Sequence, residues 1–135
     1  MCKILIVDDN VNACYLLKSY LDKMKHNVTV ALTEIDALEK VKRLKPDIML
    51  LDIIMGEIGG MEVLRRVRLF DKNIGIIMVS ALMDEPFRKK TLESGADEFI
   101  TKPFDFKHLS ERIIVDLMNK RKNKPNEWRL SSGIR

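Results

Sequence analysis

The sequence predicts a mostly parallel α/β sheet with helices on both of its faces. Short apolar runs alternate with longer amphipathic stretches five times along the 135 residues. Three of these runs, Lys3–Val7, Asp47–Leu51 and Ile74–Val79, are almost continuously apolar, as expected of strands that are buried on both faces. Five strand–helix units of this length favour a parallel sheet with right-handed crossovers.

The remaining elements follow from the same periodicities. Asn27–Ala31 and Glu98–Thr101 are predicted as the second and fifth strands. Between the strands, apolar residues recur at spacings of three and four, which is typical of one helical face. The apolar faces of the five predicted helices are Val11, Cys14, Leu17, Leu21 and Met24; Ile35, Leu38, Val41 and Leu44; Met61, Leu64 and Val67; a weaker stretch within Asp84–Ser94; and Phe106, Leu109, Ile113 and Leu117.

Residues that start and stop helices lie where this scheme requires them. Asp84 precedes Glu85 and Pro86, and proline is tolerated in the first turn of a helix. Gly95 is predicted to cap the fourth helix at its C-terminus, and Asp105 to cap the fifth at its N-terminus. Pro46 ends the second helix and leads into the third strand.

The composition excludes several classes of protein. A content of 46% hydrophobic and 33% charged residues is typical of a single globular domain. No apolar stretch approaches the roughly 20 residues that cross a bilayer, and the chain reaches Asp8 and Asp9 too early for a secretory signal, so we expect a cytoplasmic location. Cys2 and Cys14 form no Cys-x-x-Cys pair, which argues against both a disulfide and a zinc site.

The net charge of +4 belongs to the end of the chain. Residues 119–135 hold six cations and one acid, so the first 118 residues carry a net charge of about −1. We therefore expect one domain over residues 1–118 and a basic tail or linker over 119–135. The sequence contains no helix-turn-helix, zinc or nucleotide-loop pattern, and no direct nucleic-acid binding is expected. Trp128 and the tail cations would alternatively form a docking segment for a partner.

Polar residues follow the apolar strands at the edge where such sheets bind ligands. Asp8 and Asp9 follow the first strand, Asp52 the third, Ser80 the fourth and Lys102 the fifth. A single acid after a strand is usually a turn or helix cap. Five polar groups at four strand ends are not explained in this way. We expect them to meet beyond the carboxyl ends of the strands.

The residue types in this group suit phosphoryl transfer. Three carboxylates repel one another, so protons or a cation must neutralise them. Oxygen ligands suit magnesium, with manganese as the alternative, and magnesium also binds phosphate oxygens. A carboxylate can act as a nucleophile and form an aspartyl phosphate. A metal ion and Lys102 would neutralise the phosphoryl oxygens, and Ser80 would supply a hydrogen bond.

In sequence order, these motifs resemble the receiver domains of two-component response regulators, of the chemotaxis type. The resemblance covers about residues 3–117. It implies a flavodoxin-like five-stranded parallel sheet of strand order 2-1-3-4-5, flanked by five helices. The matching segments are Ile4–Asp9, Pro46–Met55, Val79–Ala81 and Gly95–Phe104.

The resemblance also implies a role for individual residues. Asp52 would be the phosphoacceptor, and Lys102 and Ser80 would contact the phosphoryl group. Asp8, Asp9, Asp52 and the backbone carbonyl of Ile54 would bind the metal ion. Two further residues complete the assignment. Phe99 occupies the position of the family's aromatic switch, with a plain core role as the alternative, and Pro103 follows a peptide bond that is expected to be cis.

Two departures from the family pattern affect these expectations. Gly56 replaces the usual proline after Met55, and with Gly59 and Gly60 it predicts a mobile third strand–helix loop. Ile54 and Leu82 flank the path of attacking water with aliphatic side chains, where many relatives carry polar groups. We therefore expect slow autodephosphorylation.

The leading hypothesis is a signalling switch rather than an enzyme that turns over a substrate. A sensor histidine kinase or a histidine phosphotransfer protein would donate the phosphoryl group. The face formed by the fourth helix, fifth strand and fifth helix would then bind a downstream protein or output domain, or dimerise an otherwise monomeric chain. The alternatives are an unphosphorylated interaction module, a magnesium-dependent phosphatase of the haloacid-dehalogenase kind, and, more remotely, a flavodoxin-like cofactor-binding protein. Such phosphatases carry an acid two residues after the nucleophile, where this chain has Ile54.

Overall fold

The computed structural model describes residues 2–81 and 85–123. Its strands and helices alternate as the periodicities predict. The strands of the sheet are β1 (Lys3–Val7), β2 (Asn27–Ala31), β3 (Ile48–Asp52), β4 (Gly75–Ser80) and β5 (Glu98–Thr101). The helices are α1 (Val11–Lys23), α2 (Glu34–Leu44), α3 (Gly60–Phe70), α4 (Glu85–Glu93), α5 (Phe106–His108), a π-helical segment (Leu109–Ile114) and α6 (Val115–Asn123).

The five strands form one parallel sheet of order β2-β1-β3-β4-β5, which confirms the predicted fold class. The strand order reverses direction at β1 and β3, and ligand sites of such sheets lie beside that switch point. The register aligns Val7 of β1 with Leu51 of β3, and Asp52 with Val79 of β4. The acids that follow β1 and end β3 are therefore brought to the same edge of the sheet.

Hydrophobic cores on the two faces of the sheet bury its central strands completely. Every residue of β3 and β4 is buried. Met49 and Leu51 belong to the core under α2 and α3, whereas Ile48 and Leu50 belong to the core under α1 and the C-terminal helix. This alternation explains why both runs are almost continuously apolar.

The core-facing side of α2 differs from the predicted one. Ile35, predicted to face the core, is 74% exposed, and the carboxylate residue Glu34 is only 8% exposed in its place. Ala37 and Val41 continue the buried face. The prediction for Ile35 is wrong because Glu34 has partners in the β3–α3 loop, which are described with the functional site.

The C-terminal helix runs through α5, the π-helical segment and α6 without a break. It continues to Asn123, the last described residue, and so extends past the start of the predicted basic tail. Arg121 donates to the backbone carbonyls of Asp47 and Asn73 and pairs with the Asp47 carboxylate. That carboxylate also accepts a hydrogen bond from the backbone of Lys3. Residues 124–135, including Trp128, lie outside the described residues, as does the expected cap Asp84.

A buried arginine joins α3 to the loop before β5. Arg68 is 8% exposed, donates to the carbonyl of Gly95 at 2.8 Å, and pairs with Asp97 at 3.1 Å. Asp97 in turn accepts a hydrogen bond from the backbone of Ile76 in β4. Gly95 adopts a φ of +118°, and a Cβ there would lie 2.9 Å from Cγ of Arg68. Glycine at position 95 thus permits both the turn and the close approach of Arg68.

We expect Gly95→Ala to lower the free energy of unfolding by about 1–3 kcal/mol, because the added methyl group is strained by the backbone and displaces Arg68. Urea denaturation measures the change. Gly75→Ala is the matched control, since it adds the same methyl where the nearest side-chain atom lies at 3.4 Å and φ is not in the left-handed region. Equal stability of the Gly95→Ala and Gly75→Ala variants would contradict the role of Gly95.

Candidate functional site

Three carboxylates meet at the carboxyl edge of β1 and β3. Asp8, Asp9 and Asp52 each offer an oxygen, and these oxygens lie within 4.8 Å of one another. Asp8 and Asp52 are each 7% exposed, whereas Asp9 is exposed. Oxygen ligands of this kind, with one open side, fit a hard divalent cation that keeps some of its water. The predicted acidic cluster is therefore assembled.

Lys102 closes the cluster from the side of β5. Its ammonium group donates to Asp8 at 3.1 Å and to Asp52 at 3.0 Å. Its backbone N–H donates to the carbonyl of Ser80 at 2.8 Å, which fixes the chain just after β5. The Lys102–Pro103 peptide bond, for which the resemblance implied the cis form, is cis. The lysine and both buried carboxylates thus form one hydrogen-bonded group.

Burial and hydrogen bonding have opposite effects on the pKa values of Asp52 and Lys102. Burial raises the pKa of Asp52, the Asp8 carboxylate adds to the increase, and the hydrogen bond from Lys102 only partly offsets it. Burial lowers the pKa of Lys102, but its hydrogen bonds to Asp52 and Asp8 outweigh burial, and the net pKa is raised. One ammonium group therefore does not fully compensate the two buried acids, and a cation is favoured beside them.

The turn after β1 is held by local hydrogen bonds. Asn10 caps α1 by accepting from the backbone N–H of Ala13, and its own N–H donates to the Asp8 carboxylate at 3.0 Å. Cys14 is 1% exposed, and its thiol donates to the backbone carbonyl of Asp8 at 3.2 Å. Burial raises the pKa of the Cys14 thiol to about 11, with Asp8 adding to the effect. Cys14 is consequently a packing residue that also braces Asp8.

Ser80 and Phe99, the two residues with an expected switching role, are both buried, in β4 and β5. Ser80 is the last residue of β4 and is 1% exposed. Phe99 is 7% exposed, belongs to the core under α2 and α3, and contacts Phe87 of α4 edge-on, with ring centroids 6.4 Å apart. The ring of Phe99 therefore connects β5 to α4. Whether they move on phosphorylation stays a prediction.

The structure describes one of the two residues that were predicted to exclude water. The side chain of Ile54 is 63% exposed, and its backbone N–H donates to the Asp52 carboxylate at 3.3 Å. Leu82 lies outside the described residues. An exposed aliphatic group thus follows the Asp52 carboxylate at the one of these two positions that the structure describes.

The β3–α3 loop has an anchor that the sequence did not predict. Oε2 of Glu34, the first residue of α2, accepts hydrogen bonds from the backbone N–H groups of Ile58 at 2.9 Å and Gly59 at 3.1 Å. Its own backbone N–H and those of Gly59 and Ile58 lower the pKa of Glu34. The only sequence signal was an acid at the position where the buried face of α2 begins.

The loop also closes on itself at α3. The backbone N–H of Gly60 donates to the carbonyl of Ile53 at 2.8 Å. A Cβ on Gly60 would overlap the backbone of Asp52 and Ile53. Glycine therefore lets the N-terminus of α3 lie directly against the strand end that carries Asp52.

Among the residues that the structure describes, none of the helices combines the length and the hydropathy of a membrane span.

Residues 4–114 match the response regulator receiver domain family. The chain is 36% identical over 112 residues to the alkaline phosphatase synthesis transcriptional regulatory protein PhoP of Bacillus subtilis, covering 82% of this chain and 46% of that protein. It is 34% identical over 112 residues to the chemotaxis protein CheY of Thermotoga maritima, covering 82% of this chain and 93% of that protein.

The chain spans between 24% and 57% of the length of the first transcriptional regulators that it matches. Among solved structures, it is similar to the BeF3-activated N-terminal receiver domain of RstA from Klebsiella pneumoniae. That similarity has a TM-score of 0.79 and 30% identity, and it covers 85% of this chain and 97% of that domain. Sequence and fold agree over the same residues that build the acidic cluster, and the chain belongs to the response regulator receiver domain family.

Proposed function

We propose that this chain is a phosphorylation-dependent switch in which Asp52 accepts the phosphoryl group. The observation that carries the proposal is the meeting of Asp8, Asp9 and Asp52 with the ammonium group of Lys102. The donor is a phosphohistidine of a sensor histidine kinase or of a histidine phosphotransfer protein. The bond from phosphorus to the histidine nitrogen breaks as a bond to an Asp52 oxygen forms, and the imidazole leaves with the electron pair.

The chain's own residues position and neutralise the incoming group. Asp8, Asp9, Asp52 and the backbone carbonyl of Ile54 would hold Mg2+, or Mn2+ in its place. The bound cation would supply charge neutralisation for the phosphoryl oxygens. Lys102 already contacts Asp52, and it donates to a phosphoryl oxygen once its bond to the carboxylate is exchanged. These roles need positioned charges and no covalent chemistry other than that of Asp52.

The signal would leave the site through Ser80 and Phe99. Ser80 turns toward the phosphoryl oxygens, and Phe99 repacks against Phe87 and α4. The face beyond them is formed by α4, β5 and the C-terminal helix. It holds a groove of about 650 Å³ that is lined by both bases, such as Arg88 and Arg112, and acids, such as Glu98 and Asp116. The groove therefore presents charges of both signs to a partner.

This face would bind a downstream protein or an output domain, or a second copy of the chain after phosphorylation. Relatives named as transcriptional regulators are longer than this chain, and their further length is where an output function would lie. The chain itself would turn over no external substrate. A phosphatase of the haloacid-dehalogenase kind is disfavoured by Ile54, which stands where those enzymes carry an acid. An interaction module without phosphorylation is disfavoured by the intact group of acids and lysine.

We expect acetyl phosphate with Mg2+ to add the mass of one phosphoryl group to the wild-type chain and none to the Asp52→Asn variant. Intact mass spectrometry measures the result. Addition of a phosphoryl group to the Asp52→Asn variant would show that another residue is modified. Absence of addition to the wild type, from acetyl phosphate and from a phosphorylated phosphotransfer protein, would contradict the proposed function.

We expect slow loss of the phosphoryl group from Asp52, because Ile54 and Leu82 offer no polar group to position water. The double variant Ile54→Asn, Leu82→Glu should hydrolyse about a hundredfold faster, the low end of what one positioned general base contributes. Single-turnover decay of the purified phosphoprotein gives the rate. The double variant Ile54→Val, Leu82→Ile is the control. Equal hydrolysis rates for the polar and the aliphatic double variants would contradict this explanation of slow dephosphorylation.

We expect the Asp52→Asn variant to melt at a higher temperature than the wild type at pH 7 without metal. Folding raises the pKa of Asp52, so its ionisation lowers the stability of the folded protein. The loss is full above the raised pKa and disappears as the pH falls from that pKa to the ordinary pKa of the unfolded chain. Mg2+ should bind the folded wild type and raise its melting temperature, which narrows the difference in melting temperature between the two proteins. Thermal unfolding in EDTA and in Mg2+ measures both. A metal-free variant that melts below the wild type would contradict the expectation.

A further inference from the structure

We infer that Glu34 is a positioning residue, which holds the β3–α3 loop so that the backbone carbonyl of Ile54 is placed for the metal ion. The inference rests on the proposed function, since it concerns the binding of Mg2+ beside Asp52. It adds a residue of α2 to a site whose other members all lie at or directly after the ends of strands β1, β3, β4 and β5.

The carboxylate of Glu34 lies where an apolar side chain is expected. It starts the buried face of α2 that Ala37 and Val41 continue, and the residue is 8% exposed. A buried carboxylate is costly unless its oxygens are paired. The backbone N–H groups of Ile58 and Gly59 both donate to Oε2, which is the arrangement that satisfies such a group. These contacts join two segments that are 24 and 25 residues apart in the chain.

Gly56 makes room for this contact. Its φ is +55°, and a Cβ at this position would overlap the Glu34 carboxyl group. The same glycine that loosens the loop in sequence therefore admits the side chain that restrains the loop in the structure. Glycine and glutamate act as a pair, because the carboxylate needs the space and the glycine backbone needs the restraint.

The position of Ile54 follows from the anchors around it. On one side, the N–H of Ile54 donates to the Asp52 carboxylate. On the other side, Met55 is 2% exposed and belongs to the core under α2 and α3. The loop beyond Met55 is held by Glu34, and Gly60 returns to the carbonyl of Ile53. Without Glu34, the loop would lose the two hydrogen bonds that tie Ile58 and Gly59 to α2.

Glu34→Ala removes the carboxylate oxygen that accepts both hydrogen bonds, and Glu34→Gln keeps one oxygen in a side chain of the same shape that can accept from both N–H groups. Asp36→Ala is the matched control, because it removes an acid from the same first turn of α2 without touching the loop. The full chain is titrated with Mg2+ by calorimetry. We expect Glu34→Ala to bind Mg2+ about tenfold more weakly, the low end of the effect of groups that orient a metal ligand. Glu34→Gln should restore most of the affinity, and Asp36→Ala should match the wild type.

Two further measurements separate positioning from general loss of structure. Phosphorylation by acetyl phosphate is followed against Mg2+ concentration, and Glu34→Ala should raise the Mg2+ concentration for half-maximal rate while the rate at saturating Mg2+ stays near that of the wild type. Hydrogen exchange of the Ile58 and Gly59 amides should be about tenfold faster in Glu34→Ala and near the wild-type rate in Asp36→Ala.

The outcomes distinguish this inference from the proposed function. If the wild type binds no Mg2+, the proposed function fails and the positioning role fails with it. If the wild type binds Mg2+ and Glu34→Ala binds it equally well, the positioning role alone is overturned. Loss of affinity in Asp36→Ala equal to that in Glu34→Ala would also overturn it, since the effect would then come from charge near the site.

Discussion

The structure depends on holding two buried carboxylates, Asp8 and Asp52, beside a single ammonium group at the edge of a parallel sheet. Such an arrangement is unfavourable on its own, because burial and mutual repulsion both oppose ionisation of Asp52. It persists because the residues before these acids are strands with fully apolar faces. The register of β1 against β3 brings the two acids to the same edge of the sheet. The stability of the apolar sheet offsets the strain of the polar edge.

The same opposition supports the proposed phosphoryl transfer to Asp52. A site that is short of positive charge favours a cation, and a cation beside a carboxylate favours a phosphoryl group, whose oxygens carry further negative charge. Lys102 alone leaves the group incompletely compensated, yet it already occupies a position between Asp8 and Asp52. Exchange of its partner from Asp52 to a phosphoryl oxygen would alter the end of β5, and Phe99 lies in the same strand with its ring against α4.

Sequence reasoning reached the parallel sheet and the acidic cluster because those features follow from periodicity and from the ends of strands, and the family resemblance implied the strand order. It did not reach the contacts that depend on where a helix side chain turns. The apolar pattern predicted that Ile35 faces the core under α2. Instead, Glu34 is buried because it accepts hydrogen bonds from two backbone N–H groups, and Ile35 is exposed. The burial and contacts of Arg68 were likewise not predicted, because its partners Gly95 and Asp97 lie 27 and 29 residues away in the chain. Periodicity reports which face is apolar and carries no information about distant backbone donors.

The loop after β3 shows how a local departure and a distant one have to be considered together. Taken alone, Gly56 in place of proline predicts a freer backbone, since proline restricts the chain by itself and glycine restricts nothing. Taken with Glu34, the same glycine leaves the space that the Glu34 carboxylate occupies. The loop is then restrained by hydrogen bonds from α2 instead of by a proline ring within the loop. The two forms of restraint differ in kind. A proline ring acts whatever the rest of the protein does, whereas the Glu34 contacts exist only while α2 is folded against the loop. If Glu34 positions Ile54 as proposed, the geometry at Ile54 is tied to the folding of α2, and the proposed metal site draws on a helix that would supply none of its ligands.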